Sequence, residues 1–371
     1  MPIKNLNQVL LEKHKSEFSA PSYFIQTYGC QMNKNDSEHI AGFLEASGYF
    51  PAQDEAQASM VVLNTCSIRD KSERKAFGKF YELQHDRKKA NPYAQGKKQS
   101  LAIAGCMPGH DLAGVQKKLP FLDFFIDVHE ARKFPAKREV NDTAWVTIQN
   151  GCNHFCTYCI VPYSRGQETY RSVEEIVQEI EKIPKEKYRA ISLLGQNINS
   201  YRGFWHAQNR IADFADILTI AHEHIGNCRL EFLTSHPKDM DDRAIAAMAA
   251  LPKLHHEIHI PVQAGANRVL KRMNRGYTRE FYIELVNKIR TQMPHAKIST
   301  DIIVGFPGES EPEFLETCEL IKQLGFFRVN TAAFSVRPGT PAARMTEQLD
   351  EVTKSLRLQR VMKVVDQYKV A

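Results

Sequence analysis

From Ser22 onward, short apolar β-branched runs alternate with longer amphipathic stretches, and this alternation restricts the fold more than any other feature. It is the pattern of strands joined by helices in an α/β protein with parallel strands. Two series separate. The first places strands at 23–27, 60–64, 101–104 and 121–127, with helices around 36–46 and 71–89, and reads as a small doubly wound, flavodoxin-like parallel sheet. A charged stretch at 130–142, EARKFPAKREVND, lacks apolar periodicity and reads as a linker. The second series repeats a strand-and-helix unit six times, with strands near 145–148, 190–194, 230–233, 257–262, 297–304 and 328–334, which predicts an open, partial (β/α)6 barrel. Ser172 and Glu175 form a capping box ahead of a stripe of Val173, Ile176, Val177, Ile180 and Ile183, so a helix starts there. The expected organisation is an N-terminal extension at 1–21, a first domain at 22–138 and a second at 139–371. The stretch 352–371 reads as a charged amphipathic helix that stops without a Gly or Asn cap, and the natural chain is expected to continue.

With 43% apolar and 25% charged residues in 371, the chain has the balance of a globular protein and not of a disordered one. No run approaches eighteen uncharged apolar residues, and the N-terminus lacks the apolar block of a signal peptide, so a cytoplasmic protein without a membrane partner is expected. In that compartment eight cysteines do not form a disulfide framework; clustered cysteines there point to metal or redox chemistry.

Three of them, Cys152, Cys156 and Cys159, fall within eight residues directly after the first strand of the second series, at the carboxyl end where barrel enzymes build their sites. A zinc site would ask for a fourth protein ligand, whereas an iron–sulfur cube is held by three thiolates with one iron left open for a substrate. Cys30, Cys66 and Cys106 are far apart in sequence but alike in position, each ending an apolar run: YFIQTYGC, MVVLNTC and LAIAGC. Carboxyl ends of neighbouring parallel strands converge on one crevice, so these three are candidates for a second cluster. Taken singly, each would be a small core residue. Cys228 and Cys318 read as core, and His39, His110 and His129 receive no assignment.

CxxxCxxC after the first strand of a six-unit half barrel resembles the radical S-adenosylmethionine (SAM) enzymes, and an N-terminal domain with three further cysteines resembles their methylthiotransferase branch. TYGCQMN at 27–33, NTCSIRDKSE at 64–73, LLGQNINSY at 193–201, TSHP at 234–237, HIPVQAG at 259–265, DIIVGFPGE at 301–309 and RPGTPA at 337–342 look like the MiaB type, which acts on dimethylallyladenosine in tRNA. The resemblance covers about residues 22–370. It implies a radical SAM barrel behind an auxiliary-cluster domain, with two 4Fe-4S clusters. Cys152, Cys156 and Cys159 would hold the cluster whose open iron binds SAM; one electron, from a donor such as flavodoxin or ferredoxin, cleaves the sulfonium. The 5'-deoxyadenosyl radical abstracts hydrogen from carbon 2 of the adenine, Cys30, Cys66 and Cys106 hold the cluster that delivers sulfur, and a second SAM supplies the methyl group. An unactivated aromatic C–H cannot be deprotonated at neutral pH, so a cofactor must carry such chemistry. By the same resemblance Tyr158 packs on the adenosyl adenine, and Ser235, Gln263, Val304 and Glu309 line the cosubstrate pocket. The family's β-rich TRAM domain would begin where this sequence stops.

The strand followed by Gly-Phe-Pro-Gly is also what a plain turn looks like, and it does not match GxGxxG, so no nicotinamide site is expected. For the tRNA partner, the candidate phosphate contacts are Arg268, Lys271, Arg272, Arg275 and Arg279, interleaved with Tyr277, and a second group of Arg87, Lys88, Lys89, Lys97 and Lys98. The net charge of +6 permits such a partner without requiring it. Two alternatives compete: a sister methylthiotransferase acting on threonylcarbamoyladenosine tRNA or a ribosomal-protein aspartate, and a non-catalytic metal-containing RNA-binding module. Gln31-Met32-Asn33 after Cys30 favours the MiaB type, and three plus three thiols disfavour zinc. A monomer is expected.

Overall fold

The computed structural model describes residues 3–67, 70–89, 99–138 and 142–370. The chain divides into two compact units, Met1–Val140 with Tyr163–Arg165, and Asn141–Pro162 with Gly166–Ala371.

In chain order the first unit runs β1 (Lys4–Asn5), α1 (Gln8–Lys15), β2 (Ser22–Tyr28), α2 (Gln31–Ala46), β3 (Phe50–Pro51), β4 (Met60–Thr65), α3 (Asp70–Lys89), β5 (Ser100–Gly105), α4 (Cys106–Lys118), β6 (Phe124–Ile126) and α5 (Val128–Ala131). Its sheet has the order β1-β6-β5-β4-β2-β3, with every pairing parallel. Leaving β1 aside, this is the 2-1-3-4-5 winding of flavodoxin-like folds, whose topological switch lies between β2 and β4. The period of two in β4 and β5 explains the double layer. Met60, Val62, Ala102 and Ala104 pack with Ile40, Phe43 and Leu44 of α2 on one face. Val61, Leu63, Leu101 and Ile103 pack with Phe80 of α3 and Val115 of α4 on the other.

Two expectations are corrected here. Residues 1–21 do not hang outside the first domain: β1 pairs with β6 and Leu11 of α1 is fully buried. Nor is the whole of 130–142 a bare connector. Ala131 is buried, Phe134 packs against the core, and Arg132 reaches Asp36. A two-residue strand has no periodicity to read, and a single charged side chain turned inward leaves no pattern.

The second unit contains β7 (Thr143–Thr147), β8 (Gln149–Asn150), α6 (Val161–Arg165, whose last three residues belong to the first unit), β9 (Thr169–Tyr170), α7 (Val173–Glu181), β10 (Ala190–Leu194), a hairpin of β11 (Gly203–Trp205) and β12 (Arg210–Ala212), α8 (Phe214–His224), β13 (Arg229–Phe232), α9 (Asp242–Ala250), β14 (Glu257–His259), α10 (Asn267–Arg272), α11 (Arg279–Gln292), β15 (Lys297–Val304), α12 (Glu311–Leu324), β16 (Arg328–Ala333) and α13 (Glu351–Tyr368). Strands β7, β10 and β13 form one parallel sheet and β14, β15 and β16 another. Leu230 of β13 also bridges in parallel to Leu254, three residues before β14, so six strands follow one another in chain order as an open half barrel. Ala144, Val146, Ile191, Leu193, Leu230, Ile258, Ile298 and Ile302 turn outward into one core with the helices. Ser172 caps α7 as its sequence predicts, its side chain accepting from Glu175 N while Glu175 accepts from Ser172 N. Among the described residues no helix is long and apolar enough to cross a membrane.

Candidate functional site

In the first unit, Tyr28 of β2 pairs with Thr65 of β4 and Thr65 with Gly105 of β5, a row that ends three neighbouring strands at one level. Cys30, Cys66 and Cys106 leave the sheet just beyond this row, at the switch point where open α/β sheets place their ligands. Cys30 is the N-cap of α2, and Cys106 opens α4. The thiols of Cys66 and Cys106 are hydrogen-bonded, and Cys30 is close enough for Cys106 to raise its pKa, behind the larger effect of burial. Below them sits a buried amide network. Asn33 Nδ2 donates to Asn64 Oδ1 (3.1 Å) and Thr65 O (3.2 Å), and Asn64 Nδ2 donates to Asn33 O (2.7 Å) and Ser37 Oγ (2.9 Å). Arg165 Nε donates to Cys106 Sγ (3.2 Å) and its Nη2 to Asp36 (2.7 Å), while Arg132 holds the other oxygen of the same carboxylate. Burial pushes the Asp36 carboxyl up, but the two guanidiniums outweigh it and keep it below the usual carboxylate range. The contact from Cys66, followed by Arg165, draws the Cys106 thiol below the ordinary thiol range.

The second triad lies on a loop after β7 and β8. Gly151 turns the chain with φ +83°, and a Cβ there would overlap Gln167 O. The loop is fixed by the turn after α10: Thr157 N donates to Met273 O (3.0 Å), Thr157 Oγ1 to Arg272 O (2.8 Å), and Asn274 Nδ2 to His154 O (3.2 Å) and Phe155 O (3.1 Å). Cys159 N closes a turn onto Cys156 O (2.9 Å), and Val161 N donates to Cys159 Sγ (3.5 Å). Burial pushes the Cys152 and Cys159 thiols up to about 12, with Cys156 adding to both. A metal that binds here must therefore drive the protons off.

Both sets fit an iron–sulfur group. None of the eight cysteines is in a disulfide, Cys106 interacts with both Cys30 and Cys66, Cys156 interacts with both Cys152 and Cys159, and a guanidinium N–H meets one sulfur in each set. Three soft sulfur donors without a fourth suit a cube with an open iron better than a closed tetrahedral zinc.

The remaining expected residues divide. Gln263 and Thr234 hold positive φ (+77° and +69°) at the carboxyl ends of the barrel strands, a strain that non-glycine residues carry mainly at functional sites. Gln263 N donates to Asp301 O and Ile303 N to Gln263 O. Ser235 is buried and donates to His259 O, and Val304 ends β15 fully buried. Tyr158 packs on the cluster of Leu270, Phe306 and Phe334. Glu309 is a correction: only 4% exposed, its Oε2 accepts from Gly305 N (2.7 Å) and Arg357 Nη1 (2.8 Å), so it braces the turn after β15 against α13.

The basic run is corrected further. Arg275 is 4% exposed and donates to Cys156 Sγ (3.2 Å), so it is no phosphate contact. Arg268 pairs with Glu313 and Arg272 with Glu347, acids distant in sequence, and Arg279 donates to Glu316 O and Gln323 Oε1; Lys271 alone of the five is left exposed without such a partner among the described residues. In the other run Arg87 is bound to Asp123 (2.9 Å), and the side chains of Lys88, Lys89, Lys97 and Lys98 lie outside the described residues.

Sequence reasoning missed Arg165, Asp36 and a brace beside the loop: His154 Nε2 bonds Asp239 (2.5 Å), Asn197 Nδ2 donates to the same carboxylate (2.7 Å), and His236 stacks on His154 with centroids 3.7 Å apart. Burial and then Arg275 keep His236 neutral, far below the usual imidazole range. The one available signal was that His154 lies inside the cysteine motif and His236 inside TSHP.

Comparison with known proteins agrees with this division of the chain. The Radical SAM superfamily model matches residues 146–321, and the model described as Uncharacterized protein family UPF0004 matches 22–127. The tRNA-2-methylthio-N(6)-dimethylallyladenosine synthase of Carboxydothermus hydrogenoformans is 40% identical over 373 residues, covering 92% of this chain and 83% of that protein. The synthase of the same name from Desulforamulus reducens is 40% identical over 390 residues, covering 96% and 83%. Among solved structures, the radical SAM methyltransferase TsrM from Kitasatospora setae superposes with a TM-score of 0.63 at 11% identity, over 87% of this chain and 75% of that one. The cobalamin-dependent radical SAM enzyme OxsB superposes at 0.55 and 10% identity, over 96% and 57%; at such identities both show the fold alone. A half barrel with three thiols at its mouth, a flavodoxin-like sheet with three more at its switch point, and 40% identity along nearly the whole length lead to one conclusion: the chain belongs to the tRNA-2-methylthio-N(6)-dimethylallyladenosine synthase family of radical SAM methylthiotransferases.

Proposed function

We propose that this chain inserts a methylthio group at carbon 2 of N(6)-dimethylallyladenosine in tRNA, using two 4Fe-4S clusters and two molecules of SAM. The observation that carries this reading is the pair of cysteine triads, one just beyond the carboxyl ends of three parallel strands and the other on the loop that follows β7 and β8. Cys152, Cys156 and Cys159 hold the cluster that binds SAM, and Cys30, Cys66 and Cys106 hold the auxiliary one. When bound, the two clusters supply the electron that cleaves the sulfonium of SAM and the sulfur that is transferred. A flavodoxin- or ferredoxin-type protein provides the electron, and the chain works as a monomer.

The chain's own residues do the positioning. The clamp of Thr157 and Asn274 fixes the direction in which the loop thiols point. Tyr158, Ser235 and Gln263, the last with a strained backbone, shape the cosubstrate pocket at the barrel's mouth, whereas the Val304 side chain packs outward with Ile298 and Ile302. Burial of Cys66 and Cys106 beside Asn33, Asn64 and Asp36 shields two of the first triad's three sulfurs from bulk water.

The test is an anaerobic assay with a chemical reductant and tRNA carrying dimethylallyladenosine, reading 5'-deoxyadenosine and nucleoside mass. Cys152→Ala is expected to abolish both products, and Cys66→Ala to leave some 5'-deoxyadenosine while making no methylthio nucleoside. Fully methylthiolated tRNA from Cys66→Ala would refute the second-cluster assignment. Product on threonylcarbamoyladenosine tRNA or on a protein aspartate, with none on dimethylallyladenosine, would refute the substrate.

A further inference from the structure

Arg275 was expected to bind RNA phosphate and instead lies 4% exposed beneath the loop of the second triad. Four of its five N–H directions are accounted for. Nη1 donates to Cys156 Sγ (3.2 Å) and to Tyr158 Oη (3.3 Å), Nε to Tyr277 Oη (2.9 Å), and Nη2 to Pro261 O (2.8 Å). Tyr277 is itself fixed by donating to Val262 O (2.9 Å). Among the described residues no carboxylate pairs with Arg275, unlike Arg165, whose charge meets Asp36 at 2.7 Å. An arginine does not lose its proton in a protein, and burying its charge without an anion is costly. Of its acceptors, Cys156 Sγ is the one that a bound iron–sulfur group would hold as a thiolate.

We propose that Arg275 is a positioning residue for the cluster held by Cys152, Cys156 and Cys159, and that its fixed charge and N–H bond to Cys156 Sγ stabilise that cluster's reduced form. The proposal rests on the cluster assignment made above. Hydrogen bonds to cluster sulfurs and local net charge are among the determinants of iron–sulfur potentials. The step it favours is a one-electron reduction: a flavodoxin- or ferredoxin-class donor loses one electron, the cluster gains it, and no proton moves because Arg275 stays protonated throughout. The extra negative charge of the reduced cluster is met by a cation already in place beside the buried Cys156. The two tyrosines and the Pro261 carbonyl hold the guanidinium plane, which keeps one N–H on the sulfur.

The experiment is a redox titration followed by electron paramagnetic resonance on reconstituted holoenzyme, wild type against Arg275→Met, Arg275→Gln and Arg275→Lys, with iron per chain measured on each sample. The signal that changes shape on adding SAM reports the cluster in question. If wild type gives no SAM-responsive signal, the cluster assignment itself fails. If it does, Arg275→Met at full iron content is expected to lower the reduced fraction at least tenfold at a fixed donor potential, equivalent to 59 mV for one electron. Arg275→Lys should restore part of that loss. An unchanged midpoint in Arg275→Met at full iron content overturns the proposal. Should Arg275→Met not load iron, Gln against Lys decides: a more negative midpoint for the neutral Gln supports it, and equal midpoints overturn it.

Discussion

The two cysteine triads are assembled by opposite means. Cys30, Cys66 and Cys106 are separated by 36 and 40 positions in sequence, and the parallel register of β2, β4 and β5 brings them together. Cys152, Cys156 and Cys159 are neighbours in sequence, and what they need is a fixed loop, supplied by contacts from the turn after α10. The first site is thus a property of the fold of its unit, and the second a property of a handful of clamps. Their electrostatics differ in the same sense. Arg165 shares the fully buried Asp36 with Arg132 inside the first unit, whereas Arg275 has no acid beside it among the described residues. A site made by topology should fail with its unit; a site made by clamps should fail locally.

Four predictions press on that contrast. Asp36→Asn leaves Arg132 and Arg165 buried around a neutral amide and should cost the first unit roughly 3–5 kcal/mol, read as a lower denaturant midpoint in the metal-free chain. Equal midpoints would show that the network is not structural. The same carboxylate supplies the pH dependence. Its folded pKa lies below an unfolded value of about 3.9, so its contribution is present above that value and is lost as pH falls through the folded one. The stability gap between wild type and Asp36→Asn should therefore be constant near neutrality and close in acid; a gap that widens on acidification would contradict the assignment.

Asn64→Ala removes one hub of the amide network and should cost about 1–3 kcal/mol while lowering iron retention at the first triad only. Equal iron loss from both triads would break the contrast. Smallest is Thr157→Val, which deletes one hydrogen bond of the clamp at about 0.5–1.5 kcal/mol. Its effect should show as faster loss of iron from the second triad with an almost unchanged thermal midpoint. A drop in midpoint as large as that of Asp36→Asn would mean that the loop is part of its unit's core after all.

The sequence disclosed whatever is local or periodic. The CxxxCxxC spacing announced the second triad, short apolar β-branched runs placed the main strands of both units, and the shared position of three cysteines after apolar runs pointed to the first. What it concealed depends on partners distant in the chain. Arg275 reads as one more cation in RVLKRMNRGYTR, because a residue that folds inward and its outward neighbours look alike until Cys156 stands beside it. Glu313 and Glu347 neutralise Arg268 and Arg272 from 45 and 75 positions away. Arg165 carried no signal at all, since its partner Asp36 lies 129 positions earlier. Strands β1 and β3, two residues each, were too short for any pattern to mark.

The most direct test of the central claim, two separate cysteine-held clusters, is iron and acid-labile sulfide per chain after anaerobic reconstitution, for wild type and for Cys30→Ala/Cys66→Ala/Cys106→Ala together. About eight irons falling to about four is the expected result, with the SAM-responsive signal retained. About four irons in both proteins would contradict it and return the three strand-end cysteines to the core.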